Sequence, residues 1–529
     1  MSEHLRALIV ILGLALPVFW VAQRVLCPKM IDVSDLVRRR NLWLGITIAA
    51  FLTHNYWLFL GIALILVLWG SSSKREKNPI ALYLFLLFAI PPFEGTLPGF
   101  GVIEHLFDIN HSRLLGLLIL LPLAVRLSRT QDRLKWGEFG SDWFMLGYLV
   151  LNVAINFGVS TATHTMRGSF YLMVDTLIPY YVASRSIRNV AMFRDAIASM
   201  VAGLLVIALI AVFEFGKHWL LYAPLGTALG LNLGGVHYLA RESLLRAVGP
   251  TGQSIVLGYL LVVAMGLWHG FAHEVSRSAW YAAILLLAGG LIASLSRGPW
   301  VGALAVVVVF AATGRQAGSR VTKLALAGGL GAVLLMLTPY ADRVIDFLPF
   351  VGTVDAGNVT YRAMLYEVSM SVISQNPFFG SPIFLSNPVM EQMRQGDGII
   401  DLVNSYLAIT LYSGFVGLIA FCGIFAASLV RLYLATRVAG LKWPEVEPMG
   451  RALLAALVGA LLIIATVSSI FTVSLIYWIL AGLAGAYAEM VRTATTHVKS
   501  QRDEERRLHG RSVQQLRVSG ARSASGDRS

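Results

Sequence analysis

Charged residues are scarce in this sequence of 529 residues, where Asp, Glu, Lys and Arg make up only 13%. Soluble domains carry about 25% charged residues, so the shortage excludes an ordinary soluble globular protein. Hydrophobic residues make up 57% of the chain, and the mean hydropathy is +0.69. This composition predicts an all-α polytopic membrane protein.

Cysteine is also scarce: the two residues, Cys27 and Cys422, lie at or within apolar runs. Neither their number nor their placement predicts a disulfide framework or a metal site. The sequence contains no Walker A pattern, no Cys-x-x-Cys and no His-Glu-x-x-His. We therefore expect neither ATP hydrolysis nor a metal cofactor, although a site built from carboxylates alone would leave no such pattern.

Long apolar runs follow one another almost from end to end, and a membrane helix needs about 20 such residues. The first run is similar to a signal peptide, but no small-x-small cleavage site follows, so we interpret it as a retained helix. The second and third runs share the turn Thr53-His54-Asn55 and could be one tilted helix, which predicts 14 or 15 spans. The predicted spans are 5–26, 41–54, 56–70, 79–91, 112–127, 142–157, 169–184, 193–214, 252–268, 279–294, 299–313, 322–338, 403–427, 451–468 and 470–490.

Basic residues in short loops indicate the cytoplasmic face. The net charge of +13 is therefore interpreted as a positive-inside signature and not as a nucleic-acid footprint. The tail from about 491 shares this face and is predicted to be disordered after 510. The long loops 215–251 and 339–402 lie on the opposite, periplasmic face. The basic clusters are 71–77, 126–135, 184–194, 314–323 and 431–437.

Three arginines occur on the predicted outer face, each near the start of a helix. Arg246 precedes a Gly-Pro-x-Gly turn, Arg297 lies in SRGPW, and Arg362 follows the possible caps Asn358 and Thr360. A helix N-terminus beside an arginine can bind phosphate, so the three predict a site for a doubly charged anion such as diphosphate. The alternatives are interfacial snorkelling for Arg246 and an ion pair of Arg362 with Asp355.

A polar run, GDGIIDLVNSYL, leads into the span after the large loop. Asp401 could accept a proton from an acceptor hydroxyl, or else Asp397 and Asp401 simply cap the helix. Asn404 and Tyr406 begin the span and are candidate substrate-binding residues.

One ionisable residue, Asp175, falls within a predicted span and needs a partner, either Arg167 or Arg113. Proton coupling at Asp175 would suit a transporter. Glu214, His218 and His237 are interpreted as structural.

The order of these parts over roughly 200–430 resembles the O-antigen ligase and O-antigen polymerase family of bacterial envelope glycosyltransferases. The features that resemble the family are Arg246-x-x-Gly249, Ser296-Arg297-Gly298, the helix with Arg362, Asn376-Pro377-x-x-Gly380, and Asn404-x-Tyr406-Leu407 before a Gly-rich helix.

The resemblance implies a GT-C-like architecture, an undecaprenyl-diphosphate-linked glycan donor, and inverting transfer without a metal ion. It also implies that Arg246 and Arg362 bind the donor diphosphate and neutralise the charge of the leaving group. Many family members have a histidine directly before the Asn of Asn-x-x-Leu, where this sequence has Val403. Either Asp401 takes the role of base, or the reaction relies on donor activation alone.

The resemblance divides the chain into N-terminal transmembrane helices (1–200), a ligase-like core (201–430), C-terminal helices (431–490) and a basic tail (491–529). The predicted function is a polymerase of carrier-linked repeat units for exopolysaccharide or O-antigen in the bacterial inner membrane. The alternatives are a ligase that moves finished glycan to lipid A core or another acceptor, and a transporter. The expected partners are the carrier-linked glycan, the acceptor, membrane lipids and other polysaccharide assembly proteins, but no nucleic acid.

Overall fold

The computed structural model describes most of the chain. The described residues are 2–72, 75–99, 101, 105–130, 134–159, 161–231, 240–241, 244–339, 341, 356–395, 398–470 and 472–495. Asp355, Asp397, His237 and the tail from 496 lie outside these ranges, so the predictions that concern them stay predictions.

The regular secondary structure of the described residues is almost entirely helical. Two small antiparallel hairpins, β1 (Glu94–Pro98) with β2 (His105–Asn110) and β3 (Ala240–Arg241) with β4 (Leu244–Leu245), are the exceptions among them. The helices are α1 Glu3–Leu26, α2 Val33–Leu52, α3 Tyr56–Ser71, α4 Pro79–Leu86, α5 His111–Arg129, α6 Gly140–Val159, α7 Ala162–Leu172, α8 Ile178–Arg185, α9 Val190–Lys217, α10 Ala223–Ala228, α11 Ser254–Trp268, α12 Arg277–Ala293, α13 Arg297–Ala312, α14 Ala317–Met336, α15 Ala356–Ile373, α16 Ser405–Lys442, α17 Glu447–Ile463 and α18 Thr472–Thr495.

Eight of the described helices are long and apolar enough to cross a membrane, and three shorter apolar helices (α3, α12 and α13) accompany them. The predicted class, an all-α polytopic membrane protein, is confirmed. The larger number of 14 or 15 spans stays a prediction, because several predicted spans correspond to helices that are too short or too polar to count among the eight.

The observed helices settle two points about the predicted spans. The second and third are separate helices, because α2 ends at Leu52 and the Asn55 side chain caps α3 by accepting hydrogen bonds from two backbone amides. The predicted span 79–91 is helical only as far as Leu86, shortly before Pro91 and Pro92, which cannot donate backbone hydrogen bonds.

The centre of the bundle consists of α9, α11, α17 and α18, most of whose residues are buried. Small residues allow close backbone contact there: a Cβ added at Gly266 of α11 would lie 2.9 Å from the Cα of Ala456 on α17. By contrast, α14 has no buried residue among those described and exposes Leu326 and Leu330, as expected of a helix that faces lipid.

Buried ion pairs tie the helix ends together on the face predicted to be cytoplasmic. Arg39 of α2 donates to Glu76 (2.8 Å) and also pairs with Asp195 of α9, and the side chains of Arg39 and Glu76 are fully buried. Arg185 donates to Asp142 at 2.6 Å nearby, also without solvent contact. Such pairs fix the helix arrangement because removing one partner leaves a buried charge.

On the opposite face, Asp175 has the partner that its position in a span required. Arg113 donates to it with an Nε–Oδ2 distance of 3.0 Å. Arg167, the other candidate partner, instead donates to the carbonyl oxygens of His105 and Leu106. With a charge partner in place, Asp175 gives no separate support to a transporter.

Candidate functional site

The centre of the candidate site is the connection between α17 and α18, residues 464–470, which we name the α17–α18 connection. It contains three polar residues, Thr466, Ser468 and Ser469, between two apolar helices. The motifs that contain Arg362, Asp401 and Gly298 contact this connection directly. Arg246 reaches it through the turn between α12 and α13.

Arg362 lies exposed on α15 and donates from Nη2 to the carbonyl oxygen of Thr466 at 3.4 Å. The helix begins at Ala356, earlier than predicted, so the positions of the two predicted caps, 358 and 360, lie within it. The favourable helix propensity of alanine is consistent with this earlier start. Arg362 is therefore in the second turn, where the helix dipole disfavours a cation less than in the first.

Arg246 lies in the loop before α11 and contacts the turn between α12 and α13. Its Nη2 donates to Ser296 Oγ at 3.0 Å, and its Nε lies 3.4 Å from the carbonyl oxygen of Ser294. Leu295, at the middle of this turn, has φ +46°, a left-handed conformation that costs energy for a branched side chain. Strain of this kind often occurs at functional sites.

Glu214 fixes the loop that carries Arg246. This fully buried carboxylate accepts hydrogen bonds from the backbone amides of Leu221, Val248 and Gly249 at 2.8 to 2.9 Å. Hydrogen bonds to a carboxylate are stronger than those between neutral groups, so they fix the backbone at Val248 and Gly249, just after Arg246. This geometry agrees with the structural interpretation of Glu214 from the sequence.

Gly298 joins the turn of Arg246 to the α17–α18 connection. A Cβ added at Gly298 would lie 2.5 Å from Thr466 Oγ1, so a larger residue would displace this hydroxyl. Arg297, the first residue of α13, is adjacent in the chain. The contacts therefore run from Arg246 through Ser296 and Gly298 to Thr466, and Thr466 also accepts from Arg362.

Asp401 lies exposed beside the same connection. Ser468 Oγ is 3.0 Å from Asp401 Oδ1 and 2.7 Å from the carbonyl oxygen of Leu402, and the single hydroxyl hydrogen serves only one of them at a time. Tyr361 donates to the backbone carbonyl of Asp401 at 3.1 Å. Thr466 and Ser468 are two residues apart, so their Cα atoms are at most about 7 Å apart, and the contacts with Arg362 and Asp401 belong to the same short segment.

Asn404 and Tyr406 have contacts with the helical scaffold. Asn404 Oδ1 caps α16 by accepting from the amides of Tyr406 (3.0 Å) and Leu407 (3.2 Å). Asn404, and not Asp401, is therefore the helix cap. Tyr406 Oη donates to the carbonyl oxygen of Leu461 on α17 at 2.9 Å. Both residues position the start of α16, and substrate binding by them stays a prediction.

Sequence reasoning missed the α17–α18 connection as part of the site. Ser405 donates to the carbonyl oxygen of Val467 at 2.6 Å, and Ser469 donates to Ser405 Oγ at 2.7 Å. The signal was present as three hydroxyl residues within four positions, 466 to 469, between two apolar spans. That run alone, however, could not show which distant motifs it contacts.

Among the described residues, no group of three or more His, Cys, Asp and Glu side chains is placed to hold a metal ion. The expectation that the protein needs no cofactor remains a prediction.

Fold and site together define a multi-pass helical membrane protein with two arginines and a carboxylate around one connection at an end of its bundle. Residues 282–422 match the family model described as O-Antigen ligase, from within α12 to within α16. The predicted resemblance to the O-antigen ligase and O-antigen polymerase family is thereby confirmed for this segment, and it supports glycan transfer of this general type. Comparison with curated proteins gives no match.

The matched segment contains Arg297, Arg362, Asp401, Asn404 and Tyr406. It excludes Arg246 and the α17–α18 connection, so the structure brings residues from beyond both of its ends to the same place.

Proposed function

We propose that the protein is a glycosyltransferase that takes glycan from undecaprenyl diphosphate on the periplasmic side of the inner membrane and extends a polymer on the carrier. The observation that supports this most is the convergence of Arg246 and Arg362 on the segments Ser294–Ser296 and Thr466, with Arg297 between them in the chain. Three cations at one end of a bundle suit a diphosphate that carries at least two negative charges.

The arginines would act on the leaving group. As the acceptor oxygen attacks the anomeric carbon, the bond from that carbon to the diphosphate oxygen breaks and the diphosphate leaves with the electron pair. Guanidinium groups already in place stabilise this charge more in the transition state than in the ground state. Arg246 is oriented for this by its contacts with Ser294 and Ser296.

The proton of the acceptor hydroxyl would pass to Asp401. This carboxylate is exposed, and it is oriented by Ser468 and, through its backbone, by Tyr361. The side-chain Nδ2 of Asn404 can donate to a sugar hydroxyl while Oδ1 of the same side chain caps α16. An inverting transfer of this kind requires neither a nucleotide nor a metal ion, so chelation with EDTA should leave the rate unchanged.

The alternative is a ligase that moves finished glycan from the carrier to lipid A core or another acceptor. The description of the matched family, O-Antigen ligase, favours this alternative. Donor and bond chemistry are the same in both cases, so the site does not distinguish them. Other polysaccharide assembly proteins are expected partners in either case.

The length distribution of carrier-linked glycan in cells deleted for this protein tests both functions. Accumulation of single repeat units on the carrier identifies a polymerase, and accumulation of long chains identifies a ligase. An unchanged carrier pool contradicts both.

A second experiment tests on which side of the membrane the site lies. A cysteine introduced at position 362 is labelled with a membrane-impermeant reagent, and labelling only after permeabilisation would place the site in the cytoplasm.

A further inference from the structure

A groove of about 730 Å³ lies between α6, α16 and α18, away from the candidate site. Its walls are formed by Gly140, Phe144, Gly423, Ala427 and Ala488, among others. All three helices contribute small side chains to the walls, and the Phe144 ring packs directly against Gly423. Volumes of 300 to 1,000 Å³ are typical of ligand pockets.

Two arginines give the groove one polar region. Arg431 and Arg492 both line it, and Arg431 follows Gly423 on the same helix by eight residues, or roughly 12 Å. The basic cluster 431–437 and the basic tail beyond 491 were both assigned to the cytoplasmic face from the sequence. The groove thus combines an apolar channel with cations at the predicted inner boundary of the membrane.

Arg431 is held in place before any ligand binds. Its Nη1 donates to the carbonyl oxygen of Glu138 at 3.1 Å, and its guanidinium lies 4.2 Å from the centre of the Phe139 ring. Arg431 and Arg492 both approach the same carboxylate, Glu489, at 3.7 and 2.6 Å. Both guanidinium groups also line the groove, so a phosphate bound there would contact them.

Two other occupants of the groove are outcomes of the test below: a second copy of the chain, and the tail that follows Thr495. The tail contains Lys499, Arg502 and Arg506 but also Asp503, Glu504 and Glu505, so it presents no uniform charge to the groove.

We propose that this groove binds one anionic glycerophospholipid of the inner leaflet, with an acyl chain along Phe144, Gly423 and Ala427 and its phosphate at Arg431 and Arg492. Basic pockets between membrane helices on the cytoplasmic side bind anionic lipid head groups in this manner. The lipid would bridge α6, α16 and α18. This inference does not depend on the proposed glycosyltransferase function.

The test measures lipid retained by the purified full-length protein, using native mass spectrometry after exchange into phosphatidylglycerol or phosphatidylcholine with identical acyl chains. The wild type should retain phosphatidylglycerol in preference. Arg431→Gln should reduce that retention about tenfold, the effect of one charge-assisted contact. Arg437→Gln removes the same charge from an exposed position on the same helix outside the groove, and it should change nothing.

A second variant keeps the proposal testable if Arg431→Gln fails to fold. Ala426 is exposed and lines the groove, so Ala426→Phe fills it while leaving both arginines in place. This variant should also lose the preference for phosphatidylglycerol. Equal retention of both lipids by the wild type, an equal effect of Arg437→Gln, or a dimer cross-linked through position 426 would overturn the proposal.

Discussion

Gly380 and Gly414 lie against each other's backbone: a Cβ added at Gly380 would be 2.6 Å from the amide nitrogen of Gly414. Gly414 has φ +65° and interrupts α16, and Gly380 has φ +62° in the turn after Asn376 and Pro377. The amide of Phe415, just after the interruption, donates to the carbonyl oxygen of Pro377 at 2.8 Å. The turn thus satisfies backbone groups that the broken helix leaves unpaired, and it anchors the end of α15 to α16.

Replacing Gly414 with alanine should destabilise the protein. The φ value alone costs about 1–3 kcal/mol for a residue with a side chain, and the new Cβ would lie 2.2 Å from the carbonyl of Phe378. Thermal unfolding of the purified protein in detergent measures the effect. Gly331→Ala is the control, because this glycine lies in α14 with no atom near its Cβ direction. Equal unfolding temperatures for the two variants would contradict the packing described.

Replacing Arg362 with alanine should reduce glycan transfer by about 10²- to 10³-fold, as expected when one preorganised group that stabilises the transition state is lost. The fold should persist because Arg362 is exposed and its contact with Thr466 is long. Arg394→Ala is the matched control: it removes an exposed arginine that pairs with Glu391 in the same loop at 2.7 Å. Full activity of Arg362→Ala in a purified transfer assay would exclude this residue from the reaction.

Replacing Asp401 with asparagine should lower the turnover number by about 10²- to 10⁴-fold, the contribution of a general base. Ser468→Ala should lower it less, because Ser468 orients Asp401 and need not contact substrate. In the Asp401→Asn background, Ser468→Ala should have no further effect. Ser374→Ala, which removes an exposed hydroxyl elsewhere in the loop, is the control. Additive losses in the double variant would show that Ser468 acts independently of Asp401.

Replacing Glu76 with glutamine should destabilise the protein by about 3–5 kcal/mol, because the buried Arg39 loses one of its two charge partners. Unfolding temperatures in detergent measure this. Glu391→Gln removes an exposed partner instead and should have little effect. A Glu76→Gln protein as stable as the Glu391→Gln protein would show that the pair does not hold the helices.

The buried carboxyl of Glu76 should make the stability of the protein depend on pH. Burial raises the pKa of Glu76, but Arg39 and Arg38 lower it by more, so it lies below its ordinary value of 4.5. A depressed pKa contributes stability above the unfolded value, and that stability is lost as the pH falls through the folded value. The wild type should therefore lose unfolding temperature below about pH 4.5 more steeply than Glu76→Gln. Parallel pH profiles would contradict the assignment.

Hydrophobic runs were sufficient to predict the fold class, because length and apolarity alone decide whether a helix can span a membrane. They could not locate the ends of helices that depend on side-chain caps or on distant contacts. The cap at Asn55 separates two helices that composition would join, and the break at Gly414 is compensated by a turn more than thirty residues earlier.

The sequence also predicted part of the candidate site, namely its charged residues. Arg246, Arg362 and Asp401 attracted attention because charge is rare in this chain. In the structure Arg246 contacts the turn between α12 and α13, and Arg362 and Asp401 contact the α17–α18 connection. Thr466 and Ser468 carry no charge and lie far along the chain from all three. Only the packing of α17 against α11, α13 and α16 brings them into the site.

Transfer by the purified protein in lipid nanodiscs tests the central claim most directly. With an undecaprenyl-diphosphate-linked glycan as donor, mass spectrometry follows both the lengthened or transferred glycan and the released carrier diphosphate. We expect the two products to appear together in the wild type and in Arg394→Ala, and to be nearly absent in Arg362→Ala. A wild-type protein that releases no carrier diphosphate with either a carrier-linked or a lipid A core acceptor would contradict the proposed function.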